Sequence, residues 1–311
     1  MSVRDTFSTL GLTVLERGWL SSNNIVFGAG RETPGSVVDT GYVTHAAQTC
    51  SLVAGVLGAV PLGRVLNTHL HSDHCGGNAA LQAAWGCRVE VPEASFDAVV
   101  HWDERQLTFG LTGQRCDRFS AQGCLRADAV VVLADREWVV VAAPGHDPDA
   151  VMLFEPASRV LISADALWEE RLAINFPELL GEPGFDAARA ALDTVERLAP
   201  RIVIPGHGSP FTEVSRALQR SRERLDLFEA DPSKHRNYAE RALTMFHMLE
   251  HQVRERPLLE AWLVDTPIFR HIGTVLDLSA EQQRDRAAGV VSRLLADHLL
   301  KQLPDGRLGV V

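Results

Sequence analysis

The segment Asn67-Thr68-His69-Leu70-His71-Ser72-Asp73-His74-Cys75-Gly76-Gly77-Asn78 constrains this chain more than any other. It places four potential metal ligands, three histidines and an aspartate, within six positions, shortly after the apolar run Val65-Leu66. In extended backbone, residues two apart point the same way, so His69 and His71 converge on one point. The turn that follows aims Asp73 and His74 at a neighbouring point, and Gly76-Gly77 read as the pair that bends the backbone tightly into the next helix. Imidazoles and carboxylates without thiolates suit zinc, with iron or manganese as alternatives.

Three more candidates occupy equivalent places farther on. His146 lies in Ala143-Pro144-Gly145-His146 after Trp138-Val139-Val140-Val141, Asp165 in Ser163-Ala164-Asp165 after Val160-Leu161-Ile162, and His207 in Pro205-Gly206-His207-Gly208 after Ile202-Val203-Ile204. Alone, a histidine after a strand is usually a hydrogen-bonded structural residue and an aspartate a turn former. Beside the clustered motif, their shared position just past apolar strands fits loops that open onto one rigidly held site. Seven ligands exceed what one tetrahedral zinc uses. They divide into His69, His71 and His146 on one Zn2+ and Asp73, His74 and His207 on a second, with Asp165 bridging and Asp73 and Asp165 as the catalytic carboxylates. A water between two such ions is acidified toward neutral pH and becomes the nucleophile as hydroxide, with no separate general base. His45, His101, His235, His247, His251, His271 and His298 lack such a context and read as structural.

Around these motifs, residues 14 to about 210 alternate short β-branched runs with amphipathic stretches, the rhythm of layered sheets flanked by helices. The pattern predicts strands at 14–20, 23–28, 36–39, 63–67, 87–91, 138–143, 150–155, 159–163 and 201–204, and helices at 43–57, 77–85, 93–105 and 185–198. Residues 106–127 lack a period and read as an irregular insertion, either a substrate wall or a surface Ω-loop. After Pro210 helical patterns take over at 212–229, 235–253 and 280–301, and Pro304-Asp305-Gly306 marks a turn between short apolar runs. Helices followed by a small hairpin suggest a winged-helix-like appendage. The Asp231-Pro232-Ser233 break divides a 1–230 catalytic domain from a 231–311 helical domain. The apolar face of Leu243, Phe246, Leu249 and Val253 needs burial against the main body or in a homodimer contact.

Charge and cysteine content restrict partners and compartment. Residues 216–311 carry 15 Lys+Arg against 14 Asp+Glu, so of the net −10 the first 215 residues hold −11. An acidic body argues against nucleic acid, because neutralisation of phosphates by Lys and Arg dominates that affinity. A small-molecule substrate is expected. Cys50, Cys75, Cys87, Cys116 and Cys124 are odd in number and contain no CxxC pair, which fits reduced thiols. No apolar run reaches the roughly 18 to 20 residues of a membrane span, and none follows a basic stretch near the start, so a cytoplasmic protein is expected.

The HxHxDH motif of His69 to His74, followed in order by His146, Asp165 and His207, resembles the metallo-β-lactamase fold superfamily over roughly residues 14–210. The resemblance implies an α/β fold, an αββα sandwich of two mixed sheets with helices outside and the metal site at one edge. It also implies that Asp39, in Val37-Val38-Asp39-Thr40-Gly41, orients the ligands from behind. Zinc β-lactamases proper usually lack the bridging aspartate, so Asp165 points away from antibiotic hydrolysis. A glutathione-binding tail like that of glyoxalase II-like thioesterases is missing from the sequence. Quorum-sensing lactonases of this fold tend to carry a tyrosine three residues after the bridge, where this chain has Trp168. The helical tail is similar to that of the β-lactamase-like protein 2 group, some of which act on RNA. The implied activity is hydrolysis of a small ester, thioester or lactone. The alternatives are a phosphodiesterase or ribonuclease, an iron-dependent persulfide dioxygenase, and a non-catalytic regulatory protein.

Overall fold

The computed structural model describes residues 2–311. The first sheet runs in the order β1 (Leu12–Leu15), β2 (Asn24–Phe27), β3 (Gly35–Val38), β4 (Leu62–Leu66), β5 (Arg88–Pro92) and β6 (Gly123–Leu125). Its pairing is antiparallel as far as β3 and parallel from β3 to β6. The second sheet contains β7 (Val130–Leu133), β8 (Arg136–Ala142), β9 (Val151–Glu155), β10 (Val160–Ala164) and β11 (Ile202–Pro205), side by side in that order. Only β10 and β11 are parallel in it.

Side chains along a strand alternate between faces, and here both faces are buried. Ile25, Phe27, Val38 and Leu66 of the first sheet meet Trp138, Val140, Leu153, Ile162 and Ile204 of the second in the layer between them. The intervening Val26, Val37, Val65 and Val89 face outward onto Val53, Leu57 and Leu81 of the helices Ala46–Leu57 and Asn78–Trp85. On the opposite side, Met152, Phe154, Leu161 and Val203 pack on Leu192 and Val195 of the helix Phe185–Leu198 and on Leu218 and Leu225 of the helix Val214–Ala230. The result is the expected αββα sandwich. Each such side chain contributes about 1.5–3 kcal/mol of burial, enough in sum to hold the strand ends rigid.

Several elements differ from the sequence pattern for identifiable reasons. The first strand covers Leu12–Leu15 rather than 14–20, because the chain leaves the sheet at Arg17, whose guanidinium bonds Asn24, Thr49 and Gln48. The helix expected at 93–105 is broken into a 3₁₀ turn Glu93–Ser95, a helix Phe96–His101 and a turn Glu104–Leu107. The break falls at Trp102, which adopts a left-handed φ of 54° and packs against Phe109 and Phe119. The 106–127 segment is not a loose Ω-loop, since Leu107, Phe109 and Phe119 enter the outer apolar layer and its end supplies β6.

Beyond Ala230 come the helices Pro232–His251, Arg256–Asp265, Pro267–Val275 and Ala280–Ala296. The middle two are hidden in the sequence by Pro257 and Pro267, which look like breakers. Both sit in the first helical turn, where a missing N–H costs nothing. The last helix ends at Ala296 rather than 301 because Leu300 already belongs to β13 (Leu300–Gln302), which pairs with β14 (Leu308–Val310) around Pro304-Asp305-Gly306. β12 (Val253–Arg254) adds to the outer side of β14. The appendage is thus helical with a small three-stranded sheet. The apolar cluster of this region also takes in Ile174 and Leu179 from the main body. Among the described residues no helix is long and apolar enough to cross a membrane.

Candidate metal centre

Five turns that follow strands of the two sheets converge at one edge of the sandwich. They carry Asp39 after β3, His69 to His74 after β4, His146 after β8, Asp165 after β10 and His207 after β11. Three groups of side chains there have ligand atoms within 4.8 Å of one another: His69 with His71 and His146, His69 with His74 and Asp165, and Asp73 with His74 and His207. All seven sequence candidates are therefore brought together, and among the described residues the other histidines lie outside these groups. His71 Nδ1 is 2.7 Å from His146 Nε2, and His207 Nε2 is 3.0 Å from Asp73 Oδ2. Asp165 lies between the groups, with Oδ1 3.4 Å from His74 Nε2 and Oδ2 3.3 Å from His146 Nε2.

The far side of each ring fixes which nitrogen faces inward. Thr68 Oγ1 donates its only proton to Asp39 Oδ2 at 2.7 Å, so at 3.2 Å it accepts from His69 Nδ1. His74 Nδ1 donates to Asp39 Oδ2 at 2.8 Å, and His146 Nδ1 donates to the carbonyl of Ile174 at 2.5 Å. His69, His74 and His146 in their neutral forms thus turn an Nε2 lone pair toward the centre. Asp39 stands behind the ligand candidates: its carboxylate accepts from His74 and also from Thr68 N at 2.9 Å.

The buried polar inventory fits a bound cation. His69 Nε2, His74 Nε2 and His207 Nδ1 are buried without a hydrogen-bond partner, and each such orphan normally costs about 1–3 kcal/mol. The first two belong to the grouped ligand atoms, so cations would remove that cost there. Burial keeps His69 well below its ordinary pKa, takes His71 down to about 3 and lowers His146, leaving imidazoles neutral as ligands require. In His74 burial also pulls downward, but Asp165, Asp39 and Asp73 outweigh it and raise the group well above its usual range. Three carboxylates around one ring call for positive charge.

Glycine works here by close approach. Gly76 and Gly77 have ordinary negative φ values of −64° and −87°. They serve not to bend the chain, as the sequence suggested, but to let it pass the Tyr42–Val43 and Thr40 backbone, where a Cβ would collide. A Cβ on Gly206 would land on the Asp165 carboxylate.

Other neighbours had weaker sequence signals. Trp168 Nε1 donates to Asp165 Oδ1 at 3.1 Å, so the residue in the lactonase tyrosine position offers an N–H to the bridge candidate. Trp19, 47% exposed, stacks on His207 with ring centres 5.4 Å apart. Phe176 lies 4.8 Å from the His71 ring and 5.6 Å from that of His146. Asp147, whose Oδ2 is 3.6 Å from His71 Nε2, is pushed up to about 7 by burial. Only Asp147, adjacent in sequence to a ligand candidate, and Trp168, at a family position, could have been found beforehand.

The family model described as metallo-beta-lactamase superfamily matches residues 17–207, which include every one of the seven. The chain belongs to that superfamily. A Bacillus subtilis protein named probable metallo-hydrolase YflN is 26% identical over 175 residues, 49% of this chain and 66% of its own length. The human acyl-coenzyme A thioesterase MBLAC2 is 25% identical over 159 residues, 46% of this chain and 55% of its own. The chain thus spans between half and two thirds of these curated relatives. The crystal structure of the metallo-beta-lactamase family protein TTHA1429 from Thermus thermophilus superposes with a TM-score of 0.55 at 19% identity, covering 97% of this chain and 99% of that one. The superfamily fold in this case includes a counterpart to the C-terminal region.

Proposed function

We propose that this protein is a hydrolase of small esters, thioesters or lactones that works with two divalent ions, preferably zinc. The observation that carries the reading is Asp165, one oxygen of which faces His74 and the other His146. His69, His71 and His146 would hold one ion and Asp73, His74 and His207 the other, with Asp165 shared. Bound there, the ions would supply Lewis acidity, lowering the pKa of water and taking up charge from a carbonyl oxygen.

The chain's own groups prepare that chemistry. The Trp168 N–H fixes one oxygen of Asp165. Asp39, Thr68 and the Ile174 carbonyl hold three imidazoles in the tautomer that points Nε2 inward. Phe176 and Trp19 border the centre with apolar surface, which excludes water and strengthens charge interactions inside. Within the class a thioester leads, because one relative is named an acyl-coenzyme A thioesterase. The five free thiols fit a cytoplasmic setting, and we take residues 1–230 as the catalytic domain and 231–311 as its appendage.

Metal analysis combined with turnover on matched esters, thioesters, lactones and phosphodiesters tests the proposal. Two ions per chain and turnover of acyl compounds are expected. Activity confined to phosphodiesters would overturn the substrate class, and a single iron without acyl turnover would favour the sulfur-oxidising alternative.

A further inference from the structure

The Pro232–His251 helix supplies no ligand candidate, yet it grips the loop behind one. Tyr238 donates from its hydroxyl to the Leu172 carbonyl at 2.6 Å, and three residues earlier on the same helix face His235 Nε2 accepts from Asn175 N at 3.2 Å. The carbonyl that precedes Asn175 N in the same peptide unit is that of Ile174, which accepts from His146 Nδ1. One peptide group is thus held from both sides, by His146 through its C=O and by His235 through its N–H.

Resting on the metal-centre reading above, we infer that His235 is a positioning residue for His146, acting through the Ile174–Asn175 peptide. The peptide plane is rigid, so fixing its N–H fixes the direction of its C=O. That carbonyl in turn sets the plane and tautomer of the His146 ring. Partners behind a ligating imidazole are worth about 10- to 100-fold in metal affinity.

The ring environment suits this task. His235 is 2% exposed, between Phe185 and Phe228 with ring centres 5.3 and 5.0 Å away. Burial pushes its pKa down to about 4, which leaves Nε2 as an acceptor at neutral pH. Packing alone would be served by any apolar ring or chain there. The hydrogen bond to a main-chain N–H needs an acceptor at the Nε2 position.

Cobalt(II) titration of the metal-free full-length protein, followed by visible absorption and by competition with a chelator, tests the relay without relying on turnover. His235→Leu keeps an apolar filling but removes the acceptor, and one of two cobalt equivalents should bind about ten-fold more weakly with an altered visible spectrum. His235→Gln places an amide oxygen near the Nε2 position and should recover most of that loss. Should the Leu variant not fold, His235→Asn, whose amide is too short to reach, is the comparison with Gln. Wild-type affinity and spectrum in the Leu or Asn variant would overturn the relay, as would a Gln variant no better than either. A wild-type protein that binds no cobalt would instead overturn the metal-centre reading on which the relay depends.

Discussion

Replacing Asp39 separates the stability of the turn from the orientation of the centre. Asp39 is 1% exposed and its carboxylate accepts three hydrogen bonds, from Thr68 N, Thr68 Oγ1 and His74 Nδ1. In Asp39→Ala the Thr68 hydroxyl still accepts from His69 Nδ1 at 3.2 Å, but its own proton loses its acceptor. Thr68 N and His74 Nδ1 are left buried and unpartnered, at about 1–3 kcal/mol each. Asp39 also has a φ of 55°, a left-handed conformation that aspartate and asparagine tolerate better than alanine. The total loss is about 3–5 kcal/mol, a large part of the 5–15 kcal/mol typical of a folded chain.

Asp39→Asn keeps an acceptor for Thr68 N and suits the left-handed backbone, so it should cost much less stability. It nevertheless removes the anion beside His74, and metal affinity should fall by about ten-fold or more in both variants. Urea unfolding of the metal-free proteins reads the first effect and chelator competition the second. A metal-free Asp39→Ala protein within 1 kcal/mol of wild type, by the scale of a single orphaned group, would refute the accounting. Unchanged metal affinity in both variants would show that His74 does not depend on Asp39 for its orientation.

Two further outcomes are expected. Asp165→Ala leaves three ligands for each ion but removes the shared anion, so turnover should drop at least about 100-fold, near 2.7 kcal/mol of barrier, while His101→Ala, outside the centre, changes little; near-normal turnover with two ions bound would exclude the bridging role. In the metal-free protein His235 titrates near 4 when folded and near 6.5 when unfolded, so the stability tied to its neutral ring is full above about pH 6.5 and is lost as pH falls toward 4, by up to about 3 kcal/mol; comparing urea unfolding at pH 7.5 and 4.5 with the non-titrating His235→Gln variant isolates it, and parallel losses in both would refute it.

The ligand candidates were legible because each carries its chemistry in its own side chain and sits at a position that local sequence reveals. Val160-Leu161-Ile162 announces a buried strand, and Asp165 just beyond it must lie at the sheet edge. The support behind the ligands was not legible, for the opposite reason. The partner of His146 is the carbonyl of Ile174, and every residue has a carbonyl. His235 looked structural because its hydrogen-bond partner lies sixty positions away and is a main-chain N–H. Trp19, in the loop after β1, stacks on His207 from far along the chain, a pairing that no local pattern reveals. Pro257 and Pro267 misled because proline is a breaker inside a helix and harmless at its start, a distinction of position rather than residue type.

These supports also explain why a segment without ligands belongs with the centre. The turn after β4 is fixed by Asp39 at the end of β3, its neighbour in the first sheet. His146 and Asp165 follow strands of the second sheet, and their loop contacts run to Ile174 and Trp168. The 165–180 stretch leaves the sheet at β10 and takes its outer hydrogen bonds from His235 and Tyr238 of the C-terminal helix. Near the other end of that helix, Glu250 accepts from Tyr42 at 2.9 Å and from Arg115 of the 106–127 segment. The helix therefore ties the loops of one sheet to those of the other across the edge where the ligand candidates meet. Cutting these contacts should therefore loosen loops of both sheets at once, although none of the bonded residues is itself a ligand candidate.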